Sequence, residues 1–192
     1  MELLLIRHGT TPGNECKRYV GTEDQPLSQA GAQLAQSRRE AMPAVEALWV
    51  SPMLRCRQTA QLLFPGMEQR QVPQLRECNF GEFEGKTWEE LKANPLYRAW
   101  IGGDRTITIP GGEAMPAFGA RCLQGLEQVI AEGKAMGISR GAVVAHGGVW
   151  MSVLERLGHP QRDFYQWLLP NCGAYRVRVE EDPLALTLLE TI

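Results

Sequence analysis

Two short segments of this 192-residue chain lead out of an apolar run into the same pair of residues: LLLIRHGTTPGN, Leu3 to Asn14, and GAVVAHGGVW, Gly141 to Trp150. The chain has three histidines, and two of them, His8 and His146, end such a run and precede a glycine. Neutral imidazole is a capable nucleophile near neutral pH. Arg7, next to His8, supplies a permanent charge in a planar fork that matches phosphate oxygens. Phosphoryl transfer needs a nucleophile, positive charge around the non-bridging oxygens and an acid for the leaving oxygen. A carboxyl group close to a phosphate dianion has its pKa raised, which suits it to be that acid. The chemistry therefore asks for a histidine, two arginines, a second histidine and one Glu or Asp. It asks for no metal and no cofactor, and the sequence has no Walker-type loop, His-x-His pair or Asp-x-Asp cluster.

Such side chains must be delivered by rigid elements. Glu2–Ile6 reads as a strand buried on both faces, because its apolar run is continuous. ALWVS and GAVVA read the same way, and AYRVRVE and LALTLLE around EDP read as a terminal hairpin. Thr11 followed by Pro12 marks a helix start, and Ser28 marks another over QAGAQLAQSRREA. Pro52 is expected to open a helix through MLRCRQTAQLLF. TWEELKA and PLYRAWI suggest short helices, Ala114 to Met136 a long one, and GVWMSVLERLG a last one stopped by Gly158 and Pro160. Strands alternating with helices predict an α/β fold: a single domain over 1–192 with a mixed, mainly parallel central sheet between two helical layers. In such sheets sites lie at the carboxyl ends of the strands. Arg7, His8, His146 and the segment SPMLRCRQTA all fall there, beside helix N-termini whose free N–H groups favour an anion.

Composition narrows the class. With 44% hydrophobic and 22% charged residues and a net charge of −2, the chain gives no electrostatic case for nucleic acid or an anionic membrane. No apolar run has the length of a membrane span. The five cysteines follow no CxxC spacing, and the N-terminal MELLLIRHG lacks the basic start and long apolar stretch of a signal peptide. A reduced, cytoplasmic enzyme with a small-molecule substrate is expected. Oligomeric state has no signature in the sequence.

RHGTTPGN resembles the RHGxTxxN signature of the histidine phosphatase superfamily, also called phosphoglycerate mutase-like. GTEDQPLSQAG, SPMLRCRQTA, LRECNFGEFEG, PGGE and VAHGG are similar to its later landmarks and stand in the family's order. The resemblance implies a three-layer α/β/α fold and a metal-independent phosphomonoester hydrolase working through a phosphohistidine. It implies His8 as nucleophile and Glu77, in the LRE position, as proton donor. Arg7, Asn14, Arg55 and His146 would hold phosphate oxygens with the backbone of Gly147, and Gly21 would bring backbone close to substrate. Cys56, Met53 and Phe83 depart from the usual alanine, leucine and tryptophan, which are packing changes.

Rivals exist for some of these roles. Arg57 lies two residues from Arg55, and residues two apart on a helix face different directions, so one of them at most enters a pocket. Glu82 and Glu84 accompany Glu77, with a surface or loop-bonding role as their ordinary reading. Trp88, Tyr97 and Trp100 suit either the core or a lid. His159 matches no motif. Within the family, the short segment from Glu77 to His146 favours hydrolysis over mutase chemistry, and FGEFEGKTWEELKANPLYRAWI followed by IPGGE looks most like bacterial α-ribazole-5'-phosphate phosphatases. A broad-specificity phosphatase, a cofactor-dependent phosphoglycerate mutase and a pseudoenzyme that only binds phospho-ligands are the alternatives.

Overall fold

Alternate residues of the first strand enter two different cores, and that fixes the layering. In the computed structural model, which describes residues 1–192, strand β1 (Glu2–Arg7) leads to a one-turn helix α1 (Pro12–Glu15). Then follow α2 (Gln29–Arg38), β2 (Ala47–Val50), α3 (Leu54–Leu63) and β3 (Gln69–Gln71). Short helices α4 (Trp88–Leu91) and α5 (Pro95–Ile101) precede the long α6 (Met115–Ala135). The chain ends with β4 (Arg140–Ala145), α7 (Gly147–Leu157), β5 (Gly158–His159), β6 (Ala174–Glu181) and β7 (Leu184–Thr191).

Leu3 and Leu5 of β1 pack with Trp49, Val143 and the inner faces of α6 and α7. Leu4 and Ile6 pack with Leu48, Val50, Val144 and with Cys56, Ala60 and Leu63 of α3. All four β1 side chains are inaccessible to solvent, so truncating any of them to alanine costs roughly 2–5 kcal/mol. The seven strands run in the order β3-β2-β4-β1-β6-β7-β5. The core pairings β1–β4, β2–β4 and β2–β3 are parallel, while β6 pairs antiparallel with β1 and β7. The sheet is therefore mixed and lies between helices on both faces, the three-layer α/β/α fold anticipated above. No helix is long and apolar enough to cross a membrane.

Several boundaries differ from expectation, each for a local reason. Helix α3 starts at Leu54, two residues beyond Pro52, because Met53 is extended and the Leu54 N–H is met by the Asp24 carboxylate at 2.6 Å. That cap is supplied from thirty positions upstream. Helix α2 stops at Arg38 and tightens into a 3-10 turn, Arg39–Ala41. Strand β3 is a polar edge strand, and β5 has two residues, so neither carries an apolar pattern. Thr11 and Ser28 do cap their helices through their hydroxyls.

Candidate active site

Register places the two histidines together. Arg7 lies opposite Ala145 in the parallel β1–β4 pair, so the residues that follow them, His8 and His146, leave the sheet at one level. Their rings are edge-to-face with centroids 5.1 Å apart. The His8 N–H donates to the Ala145 carbonyl at 3.0 Å, which locks this level.

His8 Nδ1 lies 2.6 Å from its neighbour's carbonyl, Gly9 O. A carbonyl only accepts, so Nδ1 carries the proton and Nε2 keeps its lone pair. Burial, and then the Arg55 charge, hold the His8 pKa well below the ordinary histidine range. The ring is therefore a neutral imidazole with a free Nε2 at neutral pH. The Gly9 N–H donates in turn to Thr59 Oγ1 at 2.9 Å, tying the loop to α3.

Arg55 is fully buried and stands behind the histidines. Its Nη1 donates to Glu23 O at 2.9 Å, its Nη2 to Gly21 O at 3.0 Å, and its Nε to His146 Nδ1 at 3.3 Å. A guanidinium only donates, so His146 Nδ1 accepts and His146 Nε2 carries the proton, facing Ser51 Oγ at 2.8 Å. Burial first and Arg55 second also lower the His146 pKa well below the usual range. Cys56 Sγ packs 3.5 Å from His146 Nε2, and burial pushes that thiol up to about 12, an inert state.

The cavity in front of His8 has a volume of about 350 Å³. Arg7, His8, Asn14, Glu77, Gly147 and Gly148 line its closed end. Arg55, His146 and Gly21 do not line it: the first two back the His8 ring, and Gly21 is pressed between chain segments. A Cβ on Gly21 would stand 2.1 Å from Cys78 O, so glycine is required there by the Cys78–Glu84 loop. Arg57 is exposed, as is His159.

Arg7 is half-buried with Nη1 on Leu169 O at 2.6 Å, while its shielded Nε has no protein partner. An unpaired guanidinium N–H inside a protein is costly unless an anion meets it. Gly147 starts α7, and the Arg7 side chain lies against it, 3.3 Å from where a Cβ would be. Arg7 Nε thus stands beside the Gly147 N–H at a helix N-terminus, an arrangement suited to phosphate. Asn14 closes a capping box with Thr11, its Oδ1 accepting the Thr11 N–H at 3.2 Å. That leaves its NH₂ group as the donor at the cavity wall.

Glu77 approaches from the opposite side. Its Oε1 accepts the Cys78 N–H at 2.9 Å, and its Oε2 accepts the Gly148 N–H at 3.2 Å. Burial raises its pKa, opposed by those two N–H groups and by Arg55 and Arg7. Gly148, the last residue of VAHGG, takes no role from sequence alone, yet a Cβ there would come within 2.4 Å of Glu77 Oε1. Glu84, the rival, accepts the N–H groups of Gly21, Thr22 and Phe80, so it fastens loops together. Glu82 is exposed.

The outer part of the cavity is aromatic. Tyr19, Phe80 and Trp100 form one wall, with Tyr19 stacked edge-on at 5.2 Å to Phe80 and 5.7 Å to Trp100. Phe164, Tyr165 and Leu168, from the turn after β5, form the other. The Tyr165 hydroxyl reaches across to Ile101 O at 3.4 Å. Of the aromatic residues weighed from sequence, Trp100 lines this cavity, Tyr97 is buried behind it and Trp88 is half exposed on the surface. Lys17, Arg18 and Arg105 stand at the rim.

Comparison with known proteins agrees with this geometry. The sequence profile of the histidine phosphatase superfamily (branch 1) matches residues 3–191. The chain is 29% identical over 194 aligned positions to a Yersinia pestis (strain Pestoides F) protein named probable phosphoglycerate mutase GpmB, covering 95% of this chain and 87% of that one. A phosphoglycerate mutase from Thermus thermophilus is 35% identical, with 100% and 98% coverage and a TM-score of 0.77. The α-ribazole phosphatase from Shigella flexneri superposes with a TM-score of 0.82 over 98% and 96% of the two chains; at 24% identity that likeness is one of fold. With the profile spanning almost the whole chain and the two histidines brought to one end of the sheet, this chain belongs to the histidine phosphatase superfamily, branch 1.

Proposed function

We propose that the chain is a phosphomonoester hydrolase that works through a phosphohistidine at His8, and that its substrate is α-ribazole 5'-phosphate. His8 Nε2 attacks phosphorus as the bond to the ester oxygen breaks, and Glu77 gives its proton to that oxygen. Water then attacks phosphorus, the P–N bond breaks, and the Glu77 carboxylate takes the water's proton, which restores both residues. Arg7, Asn14 and the Gly147 N–H at the start of α7 hold the phosphoryl oxygens. Arg55 and His146 support the phosphoryl site from behind by keeping His8 neutral and in place.

The observation that carries the substrate reading is the two-ended cavity. Its cationic end fits a phosphate, and its aromatic end fits a flat, apolar leaving group such as a benzimidazole nucleoside. A glyceryl group would leave that aromatic end unfilled. A mutase reading is favoured by the three cations at the rim, but Arg18 pairs with Glu90 and Arg105 with Glu155. The cobalamin pathway and a cytoplasmic location follow from the same reading.

Rates of phosphate release from α-ribazole 5'-phosphate, 3-phosphoglycerate and p-nitrophenyl phosphate, with EDTA present, test it. The ribazole ester is expected to have the highest kcat/KM by orders of magnitude. Tyr165→Ala, a half-exposed position, is expected to cut that value about tenfold, as loss of one aromatic contact does, and to spare 3-phosphoglycerate. Equal rates on all three esters would reject the substrate and leave a broad phosphatase; phosphoryl return to glycerate would favour the mutase.

A further inference from the structure

Glu77 sits on irregular chain between two 3-10 turns, Pro73–Leu75 and Gly81–Phe83, so no helix or strand fixes it. A proton donor must nevertheless be held within a fraction of an ångström of its working position. Two residues outside the cavity hold it. Arg121, on α6, donates from Nη1 to Gln74 O at 2.8 Å and Arg76 O at 2.6 Å, and from Nη2 to Glu77 O at 2.9 Å. Three carbonyls of the donor's own segment are thus gathered on one guanidinium.

Arg121 is itself fixed. Its Nε and Nη2 meet the two oxygens of Glu113 at 2.7 Å each, a side-on bidentate pair that is only 20% exposed on either partner. Glu113 also takes hold of the far end of the segment, since its backbone N–H donates to Asn79 O at 2.9 Å. The loop is gripped at residues 74, 76 and 77 by Arg121 and at residue 79 by Glu113. The guanidinium lies over the Phe118 ring, 4.8 Å from its centroid, and Phe118 lines the cavity floor. Neither Arg121 nor Glu113 lines the cavity.

We infer that Arg121, locked by Glu113, is the positioning residue for the proton donor Glu77. The inference rests on the reading of Glu77 as donor. Arg121 binds the backbone carbonyl of Glu77 and leaves its carboxyl to Cys78 and Gly148, so it sets where the proton is delivered. The signature of such a role is dependence on the leaving group. An alkoxide must be protonated as it departs, whereas p-nitrophenolate leaves unaided.

The test compares kcat/KM for β-glycerol phosphate and p-nitrophenyl phosphate in Arg121→Met, Arg121→Lys, Glu113→Gln and Glu77→Gln. Arg121→Met is expected to lose about 10- to 100-fold on the alkyl ester and less than about threefold on the aryl ester. Arg121→Lys keeps the charge but loses the fork, so it falls between wild type and Arg121→Met, with the same split. Should Arg121→Met fail to fold, Glu113→Gln keeps the shape and shows the split at smaller size. Equal losses on both esters, or wild-type rates on the alkyl ester, overturn the positioning role when Glu77→Gln itself shows the split. A Glu77→Gln variant without the split places the failure in the donor assignment, and the inference falls with it.

Discussion

His8→Ala is expected to lose turnover on every phosphomonoester, by at least about 10⁴-fold, while still binding phosphate. The size follows from what the ring does. Nε2 is the free lone pair of a neutral imidazole facing the cavity, and the Nδ1–Gly9 bond fixes its tautomer. Arg7 Nε and the α7 N-terminus do not depend on the ring, so anion affinity survives. Orthophosphate or vanadate binding to the variant, followed by calorimetry, checks the second half. Activity within about tenfold of wild type would remove His8 from the chemistry.

Glu77→Gln carries the next largest effect. Removing a general acid costs about 10²–10⁴-fold, and the loss falls on esters with poor leaving groups. The pH dependence has a defined sign. The donor works when protonated, and burial raises the Glu77 pKa, so donation persists above the usual carboxylate range and fades as pH climbs through that raised value. The variant-to-wild-type ratio of kcat/KM is therefore lowest in acid and rises toward one in base; dividing the two profiles cancels the ionisation of the substrate and of His8. A ratio independent of pH contradicts the donor role. Stability carries the mirror image. A carboxyl whose folded pKa is raised stabilises the fold below its unfolded pKa, and that contribution is lost as pH rises through the folded value. Glu77→Gln, which cannot ionise, is thus expected to raise Tm at pH values above the unfolded carboxyl pKa.

Much of this architecture is legible in the sequence because burial on two faces leaves a plain mark. β1, β2 and β4 are uninterrupted apolar runs, and the side chains that line their carboxyl ends are the polar residues that break those runs. Arg7, His8 and His146 could be placed at one end of the sheet on that ground. What stays illegible is carried by long-range contacts. Asp24 caps α3 from another loop, Gly148 is required by a carboxylate seventy-one residues earlier, and Arg121 grips Glu77 across forty-four. None of these leaves a periodic or local pattern. The second aromatic wall escapes a sequence reading for the same reason: Phe164, Tyr165 and Leu168 lie on and beside a 3-10 turn after α7, and only the fold brings them opposite Trp100. Arg55 shows the converse. Its position beside the histidines is readable, but its bonds to the carbonyls of Val20, Gly21 and Glu23 and to His146 Nδ1 are made by the fold alone.

On this mechanism the phosphoryl group passes through His8. Rapid acid-free quenching of the enzyme with phosphorus-labelled substrate, followed by peptide mapping, measures that directly. A label is expected on His8 Nε2 that survives base and is lost in acid, forms before free phosphate appears, and is absent in His8→Ala. Phosphate release with no labelled enzyme at any time, or a label on another residue, would contradict it.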